Sequence, residues 1–285
     1  MGSKIVGQKS SRQFKDTFFR ALFHEERRAL ELCNAVENSD FPVGTPIRFY
    51  TRGDTSLTRR NNDLAYIVNE QLLYFNDHQG TLNPNMPLRF LPNAAEVLYT
   101  WIEDKKALYR NKLVTIPTPK FYVLYNGRDK VEKDILKLSD AFRFPDHSFS
   151  CELIVKVINV NYGSGSEVLR KSPSLDGYAY LIAEIRKHTD NGVSRDEAIQ
   201  RAVTHCISKG ILAEYLRENF KEVCDMLAWE CTYDEELAIQ KEEAFKEAFF
   251  EAAMKFIKRG MSVQEVADVL ELSDWQIREL KERVT

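Results

Sequence analysis

The sequence predicts a mixed α/β protein with an all-helical C-terminal tail. Three observations lead to this class: an early helical periodicity, several short runs of β-branched and aromatic residues in the first 160 residues, and helical periodicity from about Ser174 onward. Helices that precede, separate and follow strands are expected to pack on the faces of one sheet.

Composition and charge narrow the class further. Of the 285 residues, 44% are hydrophobic and 29% are charged, and the formal net charge of −3 gives no whole-chain sign of nucleic-acid binding. The five cysteines form no CxxC pair and the five histidines form no HExxH motif, so neither disulfides nor a zinc site is expected. Because no apolar run approaches roughly 20 residues and no signal peptide is recognisable, we expect a cytoplasmic protein that does not enter a membrane.

The N-terminal elements come first in the chain. Residues 1–13 are polar and are expected to be flexible. A helical pattern then runs from Phe14 to about Asn38, with a break near His24. Residues 40–61 hold prolines, glycines and arginines, and therefore predict a loop with room for one short strand.

A hairpin follows this loop. Two apolar strands, 64–68 and 72–75, are separated by the short polar turn 69–71. With a loop of that length Val68 faces Leu72, and the same register carried outward places Asp63 opposite Asp77.

The outer end of the hairpin is the candidate site. Directly paired residues on antiparallel strands have Cβ atoms about 4.5–5.5 Å apart, and Gln79, two residues beyond Asp77, projects to the same face. Two acids so close are unfavourable unless a cation or a proton lies between Asp63 and Asp77. Oxygen ligands suit Mg²⁺ or Mn²⁺, which can activate water against a phosphodiester. The alternative is that the two acids are solvated strand ends.

The segment after the hairpin has the chemistry of a helix start. Asn85 is the expected N-cap, Pro87 lies in the first turn, and Pro92 should kink or restart the helix predicted over residues 87–110. Arg89 beside a helix N-terminus and an acidic site is a suitable phosphate contact.

Later elements complete the main domain, residues 14–232. Two strands are predicted over residues 118–125 and 150–161, with a short amphipathic piece between them at residues 138–142. Three helices are predicted over residues 175–188, 194–209 and 212–229. Ser194 and Glu197 match a capping box at the start of the second helix.

The tail begins with a long charged helix, residues 233–260. Helical spacing aligns one apolar stripe along it, formed by Phe245, Phe249, Ala252 and Phe256. Such a stripe buries either against the protein's own core or against a second copy of the chain, which would give a homodimer.

A small helical module, residues 261–285, ends the chain. Two capping boxes, Ser262–Glu265 and Ser273–Gln276, predict two short helices in a helix-turn-helix-like arrangement. The expected inward residues are Val266, Ala267, Leu270, Ile277 and Leu280. Because acids balance bases in the second helix, a role in packing or oligomerisation suits it at least as well as DNA reading.

Several blocks of this sequence, in order, resemble one family. They are NNDLAYIV, DHQGTLNPNMPLRF, PTPKFYVLYNG, LKLSDAF and the GYAYLIAEI…AI…CI…GIL helices. Together they are similar to the Rpn family of recombination-promoting nucleases, which are also described as transposase-like and belong to the PD-(D/E)XK superfamily. The resemblance covers residues 14–232, and the charged helix with its terminal module is similar to the family's usual tail.

The resemblance implies a fold and a reaction. The fold is a restriction-endonuclease-like core, with a mixed four-stranded sheet flanked by helices, and the reaction is metal-dependent hydrolysis of DNA linked to recombination or mobile elements. By position, Asp63 matches the first metal-binding aspartate. Asp77 stands where the family usually has glutamate, and Gln79 where the wider superfamily has its catalytic lysine.

Two functions are therefore compared. In the first, Asp63 and Asp77 bind Mg²⁺ or Mn²⁺, Gln79 orients water or phosphate, and the charge that a lysine would supply comes from nearby arginines. Those arginines are Arg59, Arg60 and Arg89, each of which ordinary surface solvation also explains. Asp16 in the first helix is a possible extra acid, and its alternative role is to interact with the dipole at the helix N-terminus. In the second, the change to Asp77 marks a catalytically decayed nuclease fold that binds DNA or assembles with partners.

Overall fold

Six strands form one mixed sheet in the described part of the chain. The computed structural model describes residues 17–50, 63–144, 151–270, 272, 276–278 and 280–281, with only the backbone described for Asp63 and residues 231–248. The strands are β1 Ile47–Tyr50, β2 Asp63–Val68, β3 Leu72–Gln79, β4 Thr118–Tyr125, β5 Ile135–Lys137 and β6 Ile154–Asn159.

Nine helices are described beside these strands. They are α1 Phe18–Phe23, α2 Glu26–Glu37, α3 Met86–Trp101, α4 Glu167–Lys171, α5 Pro173–Asp190, α6 Arg195–Lys209, α7 Ala213–Glu218, α8 Phe220–Lys258 and α9 Val263–Val269, with 3₁₀ turns at Lys105–Tyr109 and Leu138–Ala141. The chain divides into two compact units, Met1–Trp229 and Glu230–Thr285. The predicted mixed α/β class is confirmed.

The sheet order is β1-β2-β3-β4-β6-β5. Strands β1, β2 and β3 are antiparallel neighbours, β3 pairs in parallel with β4, β4 pairs in parallel with β6, and β5 closes the far edge antiparallel to β6. A parallel step needs a crossover connection, and α3 with its following loop supplies it between β3 and β4. The sheet thus has six strands rather than the expected four.

Alternating side chains of β2, β3 and β4 enter two separate cores. On one face Tyr66 and Tyr74 pack with residues of α1, α2 and α5. On the other face Ile67 and Phe75 pack with Met86 and other residues of α3. Because successive side chains of a strand point to opposite faces of the sheet, Asp77 at the end of β3 lies on the α3 face and His78 lies on the opposite face.

Several predicted helix boundaries change in the structure. The break near His24 is confirmed, because α1 ends at Phe23 and α2 begins at Glu26. Pro92 does not interrupt α3, which runs through it; Pro92 is exposed, so solvent can satisfy the carbonyl that loses its helical donor. The helix predicted over residues 212–229 is split at Asn219, and its second part, α8, continues to Lys258, so the expected boundary at 232 lies inside a helix.

Only one of the two testable capping boxes forms. Ser262 accepts a hydrogen bond from the backbone of Glu265, whose carboxylate accepts one from the backbone of Ser262. Ser194 precedes α6 without a side-chain capping bond, so that prediction was wrong; the carboxylate of Glu197 accepts a hydrogen bond from Arg201 instead. Ser273 lies outside the described residues.

The second unit has its own small core. Phe250 and Ala253 of α8 are buried with Val266 of α9 and with Leu280. Val266, Ala267 and Leu280 are thus inward as predicted, and Leu270 and Ile277 are partly buried.

The apolar stripe predicted for the long helix was displaced by one residue. Ala252 is exposed and Phe249 and Phe256 are only partly buried, while Phe250 and Ala253 take the buried positions. The side chain of Phe245 lies outside the description. Packing within the second unit's own core therefore accounts for the burial of Phe250 and Ala253, whereas Val223 and Leu227 near the start of α8 belong to the first unit's core. A homodimer through this helix stays a prediction.

Among the residues that the structure describes, none of the helices combines the length and the apolar character needed to cross a membrane.

Candidate functional site

The hairpin register places the two predicted acids opposite each other. The Cα pairs run from Val68 with Leu72 to Asp63 with Asp77. The register is confirmed because residues 69–71 do form the loop: the backbone N–H of Gln71 donates to the carbonyl of Val68 at 3.0 Å. Since only the backbone of Asp63 is described, the meeting of the two carboxylates stays a prediction.

Asp77 lies at the centre of a buried polar cluster. Its side chain is 1% exposed, and its Oδ2 accepts hydrogen bonds from Arg89 Nη2 and from Gln79 Nε2, each at 2.9 Å. The sulfur of Met86 lies 3.0 Å from Gln79 Nε2 and 3.1 Å from Arg89 Nη1. We call Asp77, Gln79, Met86 and Arg89 the Asp77 cluster.

The start of α3 builds this cluster over the end of β3. Met86 and Phe90 bury their side chains against the sheet beside Phe75. This packing fixes the first turn of α3, in which Met86 and Arg89 are neighbours on one face because they are three residues apart. Asn85 precedes the helix as predicted, although its side chain makes no capping bond.

Sequence reasoning and structure agree on part of this site. The structure brings Asp77, Gln79 and Arg89 together, but Arg89 contacts the acid directly, whereas the sequence analysis assigned it to phosphate. Met86 was not predicted, and no local signal identifies it, because its contacts depend on where α3 meets β3. The predicted residues Asp16, Arg59 and Arg60 lie outside the described residues.

One buried acceptor of the cluster lacks a donor. Gln79 Oε1 is buried and receives no hydrogen bond from the residues that the structure describes. A buried acceptor without a partner costs about 1–3 kcal/mol, and a cation or a water molecule would remove that cost.

The donor chemistry of the cluster fits a hard divalent ion. Within the described residues there is no group of three histidine, cysteine, aspartate or glutamate side chains, so protein ligands would be few. Carboxylate oxygen from Asp77 and amide oxygen from Gln79, with Asp63 across the strand pair and water completing the shell, are the ligand types that Mg²⁺ and Mn²⁺ accept. Nitrogen- or sulfur-preferring metals have no comparable set here.

A groove of about 350 Å³ lies beside the first turn of α3. Its lining includes Asn85 and Pro87, the chain neighbours of Met86, and also Lys133 and Lys137 from the segment around β5. Lys133 is exposed, and its Nζ lies 3.9 Å from Oδ2 of Asp140. Asp140 also lines the groove, so two lysines against one aspartate leave its lining weakly positive, a property that suits an anionic substrate.

His78 belongs to the opposite face of the sheet. Its Nε2 lies 3.2 Å from the hydroxyl of Tyr178, and its ring stacks on Phe19 with centroids 4.9 Å apart. Burial, together with the positive charge of Arg186, lowers the pKa of His78 to about 3. The imidazole is therefore neutral at pH 7 and supports the core, not the chemistry at Asp77.

Acidification should destabilise the protein through His78. Because the folded-state pKa of His78 is below the ordinary 6.5, the unfolded chain binds the proton first as the pH falls, and stability is lost between about pH 6.5 and pH 3. The full shift corresponds to about 5 kcal/mol, and partial exposure of the residue reduces the expected loss to about 2–3 kcal/mol. Urea denaturation at pH 7, 5 and 4 measures this loss. His78→Gln should flatten the pH dependence, and equal slopes in the two proteins would contradict the assignment.

Comparison with models of known protein families, with curated proteins and with solved structures gave no match for this chain.

Proposed function

We propose that the protein is a Mg²⁺-dependent DNA endonuclease whose site is formed by Asp63, Asp77 and Gln79. The observation that carries the proposal is the register that pairs Asp63 with Asp77. Directly paired residues on antiparallel strands share one face of the sheet. Gln79 adds a buried oxygen without a hydrogen-bond donor among the described residues.

The topology around the site supports the same proposal. Strands β1 to β4 form three antiparallel strands and one parallel strand, joined through α3. Their mixed pairing supports the proposal, although the whole sheet has six strands, two more than the resemblance to the Rpn nucleases implies.

Each residue of the site has a distinct role in the proposed reaction. A divalent ion held there supplies polarisation of the phosphate and activation of water. Asp63 and Asp77 hold the ion by their negative charge. Gln79 presents an amide that can orient water or a phosphate oxygen through a hydrogen bond. Arg89 supplies positive charge next to the phosphate, where charge accumulates during phosphodiester hydrolysis.

The groove beside α3 gives this site a place for the substrate. Lys133 and Lys137 attract the phosphates of a nucleic-acid strand without reading its sequence. Because the net charge of −3 gives no whole-chain sign of nucleic-acid binding, DNA contact depends on local basic residues such as these two lysines.

A second function is favoured by one specific contact. Arg89 Nη2 lies 2.9 Å from Asp77 Oδ2. The guanidinium therefore already neutralises the carboxylate, as a metal ion would. In a catalytically decayed nuclease fold that contact would be permanent, and the protein would bind DNA or a partner without cleaving.

Cleavage of supercoiled plasmid tests the two functions. The wild-type protein should nick plasmid DNA with Mg²⁺ or Mn²⁺, and should be inactive in EDTA. Asp63→Asn, which removes one charged ligand at nearly constant volume, should lower the rate by roughly 100-fold or more.

The control for this experiment is Asp104→Asn. Asp104 is an exposed acid paired with Arg110 in the loop after α3, and its replacement should leave cleavage unchanged. Equal nicking by wild type and Asp63→Asn would identify a contaminating nuclease. DNA binding without cleavage in any divalent ion would support the decayed fold.

A further inference from the structure

We propose that Arg89 is the built-in counter-ion of the site: its guanidinium and a divalent cation compete for Asp77, and the cation binds only when Arg89 moves away. This inference rests on the proposed function, because it concerns the ion that the nuclease would use. In addition to the proposed phosphate contact, Arg89 would thus control when a cation can bind Asp77.

The first argument is the burial of Asp77. A carboxylate that is 1% exposed and carries no compensating charge is costly, by several kcal/mol. Arg89 provides that compensation through a charge-assisted hydrogen bond of 2.9 Å to Oδ2. Arg89 therefore stabilises the metal-free fold, and it does so by placing positive charge beside Asp77 Oδ2, the oxygen that would bind the metal.

The second argument is the crowding at Oδ2. This one oxygen already accepts hydrogen bonds from Arg89 Nη2 and Gln79 Nε2. A divalent ion binding there would lie within a few ångströms of the guanidinium, and like charges at that distance repel strongly in a buried site. The ion and the Arg89 contact thus exclude each other on electrostatic grounds.

The third argument is that Arg89 is able to leave. Its side chain is 25% exposed, although Asp77 is enclosed. Among the described residues, the only other side-chain hydrogen bond of the guanidinium goes to the sulfur of Met86, and a thioether is a weak acceptor. A rotation of the side chain toward solvent therefore sacrifices one strong contact, which the cation replaces.

Cation affinity without DNA tests the competition. Mn²⁺ binding, followed by electron paramagnetic resonance of free Mn²⁺, should be roughly tenfold tighter in Arg89→Gln than in wild type, because the competing charge is gone. Arg89→Lys keeps the charge and should bind within about threefold of wild type. Arg110→Met, which removes an exposed arginine paired with Asp104, is the control and should not change the affinity.

The outcomes separate the inference from the proposed function. If neither wild type nor Arg89→Gln binds Mn²⁺, the metal-dependent nuclease fails and the competition fails with it. If wild type binds and Arg89→Gln binds no more tightly, only the competition is overturned.

A measurement on the wild type alone covers the case in which Arg89→Gln does not fold. The Nε–Hε signal of Arg89, identified by its loss in Arg89→Lys, should shift as Mg²⁺ is titrated. Competition with Mn²⁺ shows when the protein is saturated with Mg²⁺. If the Arg89 signal has not shifted at saturation, the proposal is overturned.

Discussion

Asp77→Asn should abolish Mn²⁺ binding and lower plasmid cleavage by at least about 1000-fold. The amide keeps the volume of the side chain and one oxygen, but it removes the charge that holds the cation. It also removes the ion-pair partner of Arg89, whose side chain is only 25% exposed. We expect a loss of about 1–3 kcal/mol in unfolding free energy from that change. Cleavage rates, Mn²⁺ affinity and urea denaturation together separate the loss of chemistry from a loss of fold.

The matched variant is Asp77→Glu, which keeps the negative charge and lengthens the side chain. Its carboxylate lies one methylene farther from the backbone, and the partly exposed Arg89 side chain can adjust to it. Cleavage should stay within about tenfold of wild type. If Asp77→Asn cleaves plasmid as fast as the wild type, Asp77 takes no part in the cleavage and the proposed site is wrong.

The sequence predicts the strand end of this site better than its helix end. The register of Asp63 with Asp77 follows from a loop of three residues, and the shared face of Asp77 and Gln79 follows from the two-residue period of a strand. Both are local properties. The contact between Arg89 and Asp77 depends on where the first turn of α3 lands on β3, and no periodicity contains that information.

Other differences between prediction and structure have similar physical causes. Strand β5 has only three residues and is held by pairing with β6, so its local sequence carries little strand signal. In α8, Phe249 and Phe250 are adjacent, and an apolar stripe with helical spacing can be drawn through either residue. Contact with α9 selects Phe250, and that contact is tertiary.

Gly127→Ala should destabilise the protein by about 3 kcal/mol or more, or prevent folding. A Cβ at this position would lie 2.1 Å from the carbonyl oxygen of Gly80 and 2.3 Å from the hydroxyl of Tyr125. The backbone there has little freedom to retreat: the N–H of Asn126 donates to the carbonyl of Gln79 at 3.0 Å, and the carbonyl of Gly127 accepts a 2.9 Å hydrogen bond from Asn161. Urea denaturation measures the loss.

Gly177→Ala is the matched comparison for this prediction. Its Cβ would meet only side-chain atoms, the nearest being Leu212 Cγ at 2.9 Å, and a side chain can shift where a carbonyl cannot. Gly177 also lies within α5, where alanine is favoured over glycine by about 1 kcal/mol. The net effect should therefore be much smaller than for Gly127→Ala. If the two variants lose the same unfolding free energy, the backbone after β4 moves away from Gly80 more easily than the short Cβ distances imply. The end of β3, which carries Gln79, would then be less rigid than a preorganised metal site requires.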